Sequence, residues 1–239
     1  MSIADNKTDV FYPESDGEPM GETETHIRWL IKLRDILLTR YKDQDDVYVG
    51  ADMLVYYCEG VPRRFFVPDI FVVKNCDTHV RRVFKIWEEP SPPHMIIEIT
   101  SKSTRRQDEV LKPRIYADIG VEEYFTFDPT ADYMNPALQG FRRAKNAYEK
   151  IEPDENGNLH CETLDITLSL DELSLVLRDG TTGEELLTGM DLAEKRRAEE
   201  VEAMERKRAE EVEAIEQQRS EEVAKLEAEI KRLRKQLGE

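Results

Sequence analysis

The chain has 239 residues, 39% apolar and 36% charged, with a net charge of −17. So acidic a molecule has no bulk attraction for a phosphate backbone, and a nucleic-acid role would have to rest on a local site. From residue 190 onward there are 12 Lys+Arg and 15 Asp+Glu, which leaves a net −14 on the first 189 residues. The opening "MSIADNKTDVFYPESDGEPM" is polar and acidic, unlike a signal peptide, and no run of 18 apolar residues is long enough for a membrane span. Cys58, Cys76 and Cys161 are an odd, widely spaced set with no metal-ligand pattern. Reduced thiols in a soluble cytoplasmic protein are expected.

The first predicted element is an amphipathic helix over 22–41, with Ile27, Leu30, Ile31, Leu33, Ile36, Leu37 and Leu38 at helical spacing behind a Thr/Glu-rich start. Strand-like runs follow at 47–57, 63–73, 94–100 and 122–127. Between the last two, Val110, Leu111, Ile115, Tyr116 and Ile119 mark a helix over 103–119 that closes at Gly120. A strand, a helix and a strand in that order predict a crossover on a mixed sheet. Residues 138–189 read as short strands and turns, and Asn156-Gly157 is a hairpin signal. This stretch is too poor in apolar residues to stand alone and is expected to extend the same core.

The tail is repetitive. "KRRAEEVEAME", "RKRAEEVEAIE" and "QQRSEEVAKLE" are successive 11-residue units beginning at Lys195, Arg206 and Gln217. Eleven residues over three turns is about 3.67 per turn, which favours a straight or slightly right-handed coil. Leu226, Ile230, Leu233 and Leu237 then follow at heptad-like 4-3-4 spacing. A helix that pairs with another helix is expected; a solitary helix laced by salt bridges is the alternative.

One residue breaks the pattern of its strand. In "HMIIEIT", Glu98 interrupts an apolar run, and an ionised carboxylate is costly to bury without a partner. Asp69 interrupts "VPDIFVV" in the same way. Two carboxylates at matching depth on adjacent strands could share Mg²⁺ or Mn²⁺, hard cations that keep several waters and need one or two protein carboxylates. Such an ion would polarise a phosphoryl oxygen and generate hydroxide, with Lys102 or Lys112 stabilising the developing charge. Taken singly the residues have plainer readings. Asp69 would be a turn residue after Pro68, Glu98 the partner of Arg105 or Arg114, and Ser103 or Thr104 a helix cap.

The strings "VPDIFVV", "PPHMIIEITSKSTRRQDEVLK" and "IYADIGVEEYFTFDP", with the leading "GEPMGETETHIRWLIKL" and the later "LQGFRR", together resemble the Uma-type (Uma-two) restriction-endonuclease family of the PD-(D/E)xK nuclease superfamily. The resemblance covers roughly residues 12 to 189. It implies an α/β (α+β) fold, a restriction-endonuclease-like mixed sheet flanked by helices, with a β-hairpin extension and a C-terminal coiled-coil helix. The domains would be an N-terminal arm (1–21), the nuclease-like body (22–189, with 138–189 its β-rich extension) and the tail (190–239). Asp69, Glu98 and the backbone carbonyl of Ile99 would be the metal ligands. Lys112 would be the catalytic lysine, since Thr100 stands where the superfamily has it, and Glu22 a further acid at the metal. His26, Lys102 and Asp108 are accessory candidates. Lys112 precedes Pro113, which disfavours helical backbone and leaves its aim open.

The implied activity is Mg²⁺- or Mn²⁺-dependent hydrolysis of nucleic-acid, and first of all DNA, phosphodiester bonds. A nuclease fold that binds without cutting and an adaptor assembling through its tail are the alternatives. A homo-oligomer, a dimer first, is the expected assembly. Arg81-Arg82, residues 104–107 and Arg142-Arg143 are candidate phosphate contacts or plain solvated surface.

Overall fold

Helix α1 (Glu24–Arg40) starts where Thr23 caps it, its hydroxyl accepting from the His26 backbone N–H at 3.3 Å. Glu24 in its first turn and Arg40 in its last both suit the helix dipole. The computed structural model describes residues 10–17, 23–101, 111–145 and 147–237. The chain falls into two units, Met1–Thr188 and Gly189–Glu239.

After α1 come β1 (Val47–Ala51), β2 (Val55–Tyr56), β3 (Phe65–Phe66), β4 (Ile70–Lys74) and β5 (Phe84–Lys85). Then follow β6 (Met95–Ile99), α2 (Lys112–Ile119), β7 (Glu123–Phe127), β8 (Leu138–Ala144), β9 (Ala147–Lys150), β10 (Leu159–Cys161), β11 (Ile166–Asp171) and β12 (Ser174–Asp179). The main sheet runs in the order β1-β4-β6-β7-β8-β9, with β2, β3 and β5 in one small sheet and β10–β12 in another. β6 and β7 are parallel, with α2 in their crossover, and every other pair in the main sheet is antiparallel. This is the mixed sheet that the strand–helix–strand pattern predicts.

The strands alternate their side chains between two cores. Ile70, Val72, Met95, Ile97, Ile99, Phe125 and Phe127 face Leu33, Ile36 and Leu37 of α1 and the inner residues of β10–β12. Phe71, Val73, Ile96 and Tyr124 face Tyr116 of α2, with Val55, Phe66 and Phe84 of the small sheet. Gly50 sits opposite Phe71 because that ring fills the place of its side chain: a Cβ there would lie 2.2 Å from the ring. Phe71 is fully buried and has nowhere to retreat. Gly50→Ala is expected to lower the unfolding free energy by roughly 2 kcal/mol in denaturant titration, the cost of overpacking a closed core.

Two expectations need correction. The runs 47–57 and 63–73 are each two strands, split where Asp52 and Pro68 interrupt the pairing, so that β2 and β3 leave the main sheet for the small one. The Asn156-Gly157 turn forms, with Gly157 at φ 80°, but the strands beside it are not a hairpin. β9 pairs with β8 and β10 with β11, because a turn signal fixes a reversal and not the partner of either strand. The hairpins of the extension are β8–β9 and β11–β12. Part of the predicted helix 103–119, residues 102–110, lies outside the described residues.

A buried glutamate ties the extension to the sheet. Glu123 accepts from Arg142 Nε at 2.8 Å, from the backbone N–H of Thr163 at 2.8 Å, from the Thr163 hydroxyl and from Cys161 Sγ at 3.1 Å. Burial pushes its pKa up, and the hydrogen bonds of Thr163, Cys161 and Arg142 more than reverse that and hold it low. The cysteines are all free.

At the far end of the extension Arg40 pairs with Asp179. Backbone N–H of Thr182 and then the Arg40 guanidinium lower the Asp179 pKa to about 2. A depressed carboxylate stabilises the fold above its unfolded pKa of about 4 and stops doing so as the pH falls through its folded value. Arg40→Met is therefore expected to cost about 1 kcal/mol at pH 7, with the difference from the parent chain fading between pH 4 and about 2 in pH-dependent unfolding.

The second unit is one helix, α3 (Gly189–Leu237), of 49 residues. Among the described residues no helix is long and apolar enough to cross a membrane.

Candidate active site

The register brings the two interrupting acids together. β4 and β6 pair antiparallel with Ile70 opposite Ile97, so Asp69, one step beyond, lies across from Glu98. Continued along the same row, Asp52 lies on one side, its backbone N–H reaching the Asp69 carbonyl at 3.1 Å, and Thr126 on the other, paired with Glu98. All four follow the alternation of Phe71, Ile96 and Tyr124 and so belong to the face of the sheet that α2 covers.

Each carboxylate is tied in place. Asp69 Oδ1 lies 3.1 Å from His26 Nε2, and Asp69 Oδ2 accepts from the Ile99 backbone N–H at 2.6 Å. His26 is buried in the first turn of α1, so that helix's N-terminal end aims at the rim of the sheet. Glu98, with no exposure, takes the ammonium of Lys112 on Oε2 at 2.8 Å and the hydroxyl of Tyr116 on Oε1. Lys112 and Tyr116 are four residues apart on α2, one turn, and so reach down together from one face. Pro113 does not misdirect the lysine: α2 starts at Lys112, and in the first turn a missing N–H costs nothing. Gly120, at φ 95°, then closes the helix with its N–H on the Tyr116 carbonyl.

The site is graded from buried to open. Side-chain exposure is 0% at Glu98, 14% at Lys112 and 17% at Asp69, and Asp52 is exposed. Lost hydration and then the charge of Asp69 raise the Asp52 pKa, against the pull of His26 and Lys112. Asp52 itself takes φ 45°, an uncommon left-handed conformation that lets its N–H reach back across the strand pair. Thr100, where the superfamily pattern has lysine, is buried, and neither its hydroxyl nor that of Thr126 has a hydrogen-bond partner among the described residues.

Of the residues expected from the sequence, Asp69, Glu98, Lys112 and His26 converge within hydrogen-bonding reach of one another, and Ile99 contributes its N–H to Asp69. Glu22, Lys102 and Asp108 lie outside the described residues, as do 104–107. Tyr116 was counted only as core, and Asp52 was passed over. The one-turn spacing from Lys112 to Tyr116 was visible in the sequence, whereas the place of Asp52 depends on a register that it does not print.

The basic candidates serve the protein itself. Arg81 is clamped on Glu89 at 2.7 Å and stacked over Tyr48, Arg82 pairs with Glu14, Arg142 bridges Glu123 and Glu162, and Arg143 donates to the Ala117 carbonyl.

A divalent cation suits the donor set in one form. Two carboxylates on neighbouring strands offer hard oxygens, while no group of three His, Cys, Asp or Glu side chains fit to hold a metal forms among the described residues. That fits Mg²⁺ or Mn²⁺ with most of its water retained, and not a closed protein cage.

No curated protein matches the chain. A solved structure, described as that of "a putative nuclease belonging to DUF820" from Anabaena variabilis, is similar at 19% identity over 59% of this chain and 76% of its own, with a TM-score of 0.40. The family model Uma2, described as "Putative restriction endonuclease", matches residues 8–175, well over half of the sequence. The chain belongs to the Uma2 family of restriction-endonuclease-like proteins.

Proposed function

We propose that the body is a metal-dependent endonuclease that hydrolyses phosphodiester bonds in DNA at the rim of the main sheet. The observation that carries this reading is the meeting of three residues from separate elements. Asp69 stands across from Glu98, and Lys112 Nζ lies 2.8 Å from Glu98 although the lysine expected at position 100 is a threonine. A buried acid flanked by a second acid and a cation is where a fold concentrates charge for chemistry.

Asp69 and Glu98 would hold Mg²⁺ or Mn²⁺, with the Ile99 carbonyl a further ligand. Bound there, the cation supplies a Lewis acid for the phosphoryl oxygen and lowers the pKa of its water. The chain's own groups do the rest. His26 and the Ile99 N–H orient Asp69, Tyr116 orients Glu98, and Lys112 keeps positive charge beside the phosphate that arrives at the open, Asp69 side. With the body so acidic, that local charge is what offsets repulsion of the nucleic acid.

A second reading, a nuclease fold that binds without cutting, is favoured by the saturation of Glu98, whose two oxygens already accept from Lys112 and Tyr116. Plasmid cleavage separates the two. The wild-type chain is expected to nick supercoiled DNA in Mg²⁺ or Mn²⁺ and not in EDTA, and Asp69→Asn to slow that by at least about a hundredfold. Equal rates for the two proteins would remove the catalytic reading.

A further inference from the structure

We infer that α3 pairs with α3 of a second copy of this chain, antiparallel, about a two-fold axis between Gln217 and Gln218. This rests on the expectation that the tail associates with a helix at all, and not on the nuclease reading.

The apolar residues of α3 are laid out in three columns, because residues eleven apart share one direction around the helix. Ala198, Ala209 and Ser220 make a small column, Val201, Val212 and Val223 a middle one, and Met204, Ile215 and Leu226 a large one. The large hydrophobics among them are 48% to 68% exposed. Covering the exposed half of such a side chain contributes about 1 kcal/mol. An exposed i,i+4 pair such as Arg206–Glu210, at 3.9 Å, contributes a few tenths. Pairing therefore outweighs a solitary existence.

Orientation follows from size and charge. In a parallel, in-register pair each level repeats itself, so Ala meets Ala and Leu meets Leu, and the helices would have to close and part along their length. In the antiparallel pair each level sets the small column of one helix beside the large column of the other: Ala209 with Leu226, Ser220 with Ile215, and Val212 with Val223 between them. Two charged columns lie within the stripe. Glu205, Glu216 and Glu227 fall between the small and valine columns, and Arg208 and Arg219 between the valine and large columns. A parallel pair faces Glu with Glu and Arg with Arg. The antiparallel pair centred between 217 and 218 faces Arg208 with Glu227 and Arg219 with Glu216, each twice by symmetry. The same register brings basic Lys231, Arg232 and Arg234 to the level of acidic Glu199, Glu200, Glu202 and Glu205.

The test uses the full chain. Cys58→Ser removes the one cysteine that is not buried, and a spin label is attached at Glu199→Cys, an exposed position. Light scattering is expected to give twice the 27.9 kDa chain mass. Pulsed dipolar spectroscopy is expected to give about 55 Å between labels, from the helical rise, where a parallel pair would give under about 20 Å. Arg208→Glu with Arg219→Glu should reduce the mass to that of one chain, and adding Glu216→Arg and Glu227→Arg should restore the dimer. A monomeric wild type overturns the self-pairing itself. A dimer with a short label distance, or one that the fourfold exchange does not restore, overturns the antiparallel register.

Discussion

Lys112→Met is expected to lower the unfolding free energy by about 3 kcal/mol at pH 7, the largest loss of any single surface-reaching side chain in the body. The asymmetry of the pair is the reason. Glu98 has no exposure while Lys112 keeps 14%, so the ammonium can return to water and the carboxylate cannot. Without Lys112, Glu98 keeps the Tyr116 hydroxyl but loses the positive charge that offsets its burial. Combining Lys112→Met with Glu98→Gln should recover most of the loss, since the charge left behind is removed with its partner. Denaturant titration of the two singles and the double measures this as a coupling energy. Additive losses would mean that the ion pair is not what keeps Glu98 tolerable in the interior.

Glu98→Gln alone is expected to separate stability from activity. A carboxamide oxygen still accepts from Tyr116, and Lys112 is open enough to be hydrated, so the cost to the fold should stay near 1 kcal/mol. Metal-dependent cleavage should fall at least about a hundredfold, because a neutral ligand neither holds a hard cation as well nor balances its charge. A variant as unstable as Lys112→Met, or one that cleaves like the parent, would contradict that division of labour. Tyr116→Phe provides the complementary case: it removes the donor at Oε1 and leaves the charge pair in place.

What the sequence discloses about this body depends on how local the signal is. The amphipathic spacing of α1 and the β6–α2–β7 crossover are read within one or two elements, and the structure has both. Asp69 and Glu98 stand out because each interrupts an apolar run, and their adjacency follows once β4 and β6 are neighbours. The pairing of strands beyond those neighbours is less legible. β2, β3 and β5 leave the main sheet, and β9 and β10 part company at an Asn-Gly turn, because pairing is settled by which faces bury against which core and not by the turn between two strands. Asp52 joins the acidic row through a left-handed residue at a strand end, a conformation that an aspartate tolerates but does not announce. Tyr116 escaped notice for the opposite reason. A tyrosine on an apolar helix face reads as core, and it is core, with its hydroxyl turned onto Glu98.

The site that results is a buried acid, a half-open acid and a lysine carried in by a helix instead of the strand. The helix solves the loss of lysine at position 100, since α2 crosses the same face two residues past the end of the described loop and its first turn faces Glu98. The most direct test of a shared cation is anomalous scattering from crystals soaked in Mn²⁺. The expected map has one manganese peak within about 2.2 Å of a carboxylate oxygen of both Asp69 and Glu98. A map with no peak between those side chains, and Lys112 still seated on Glu98, would contradict it.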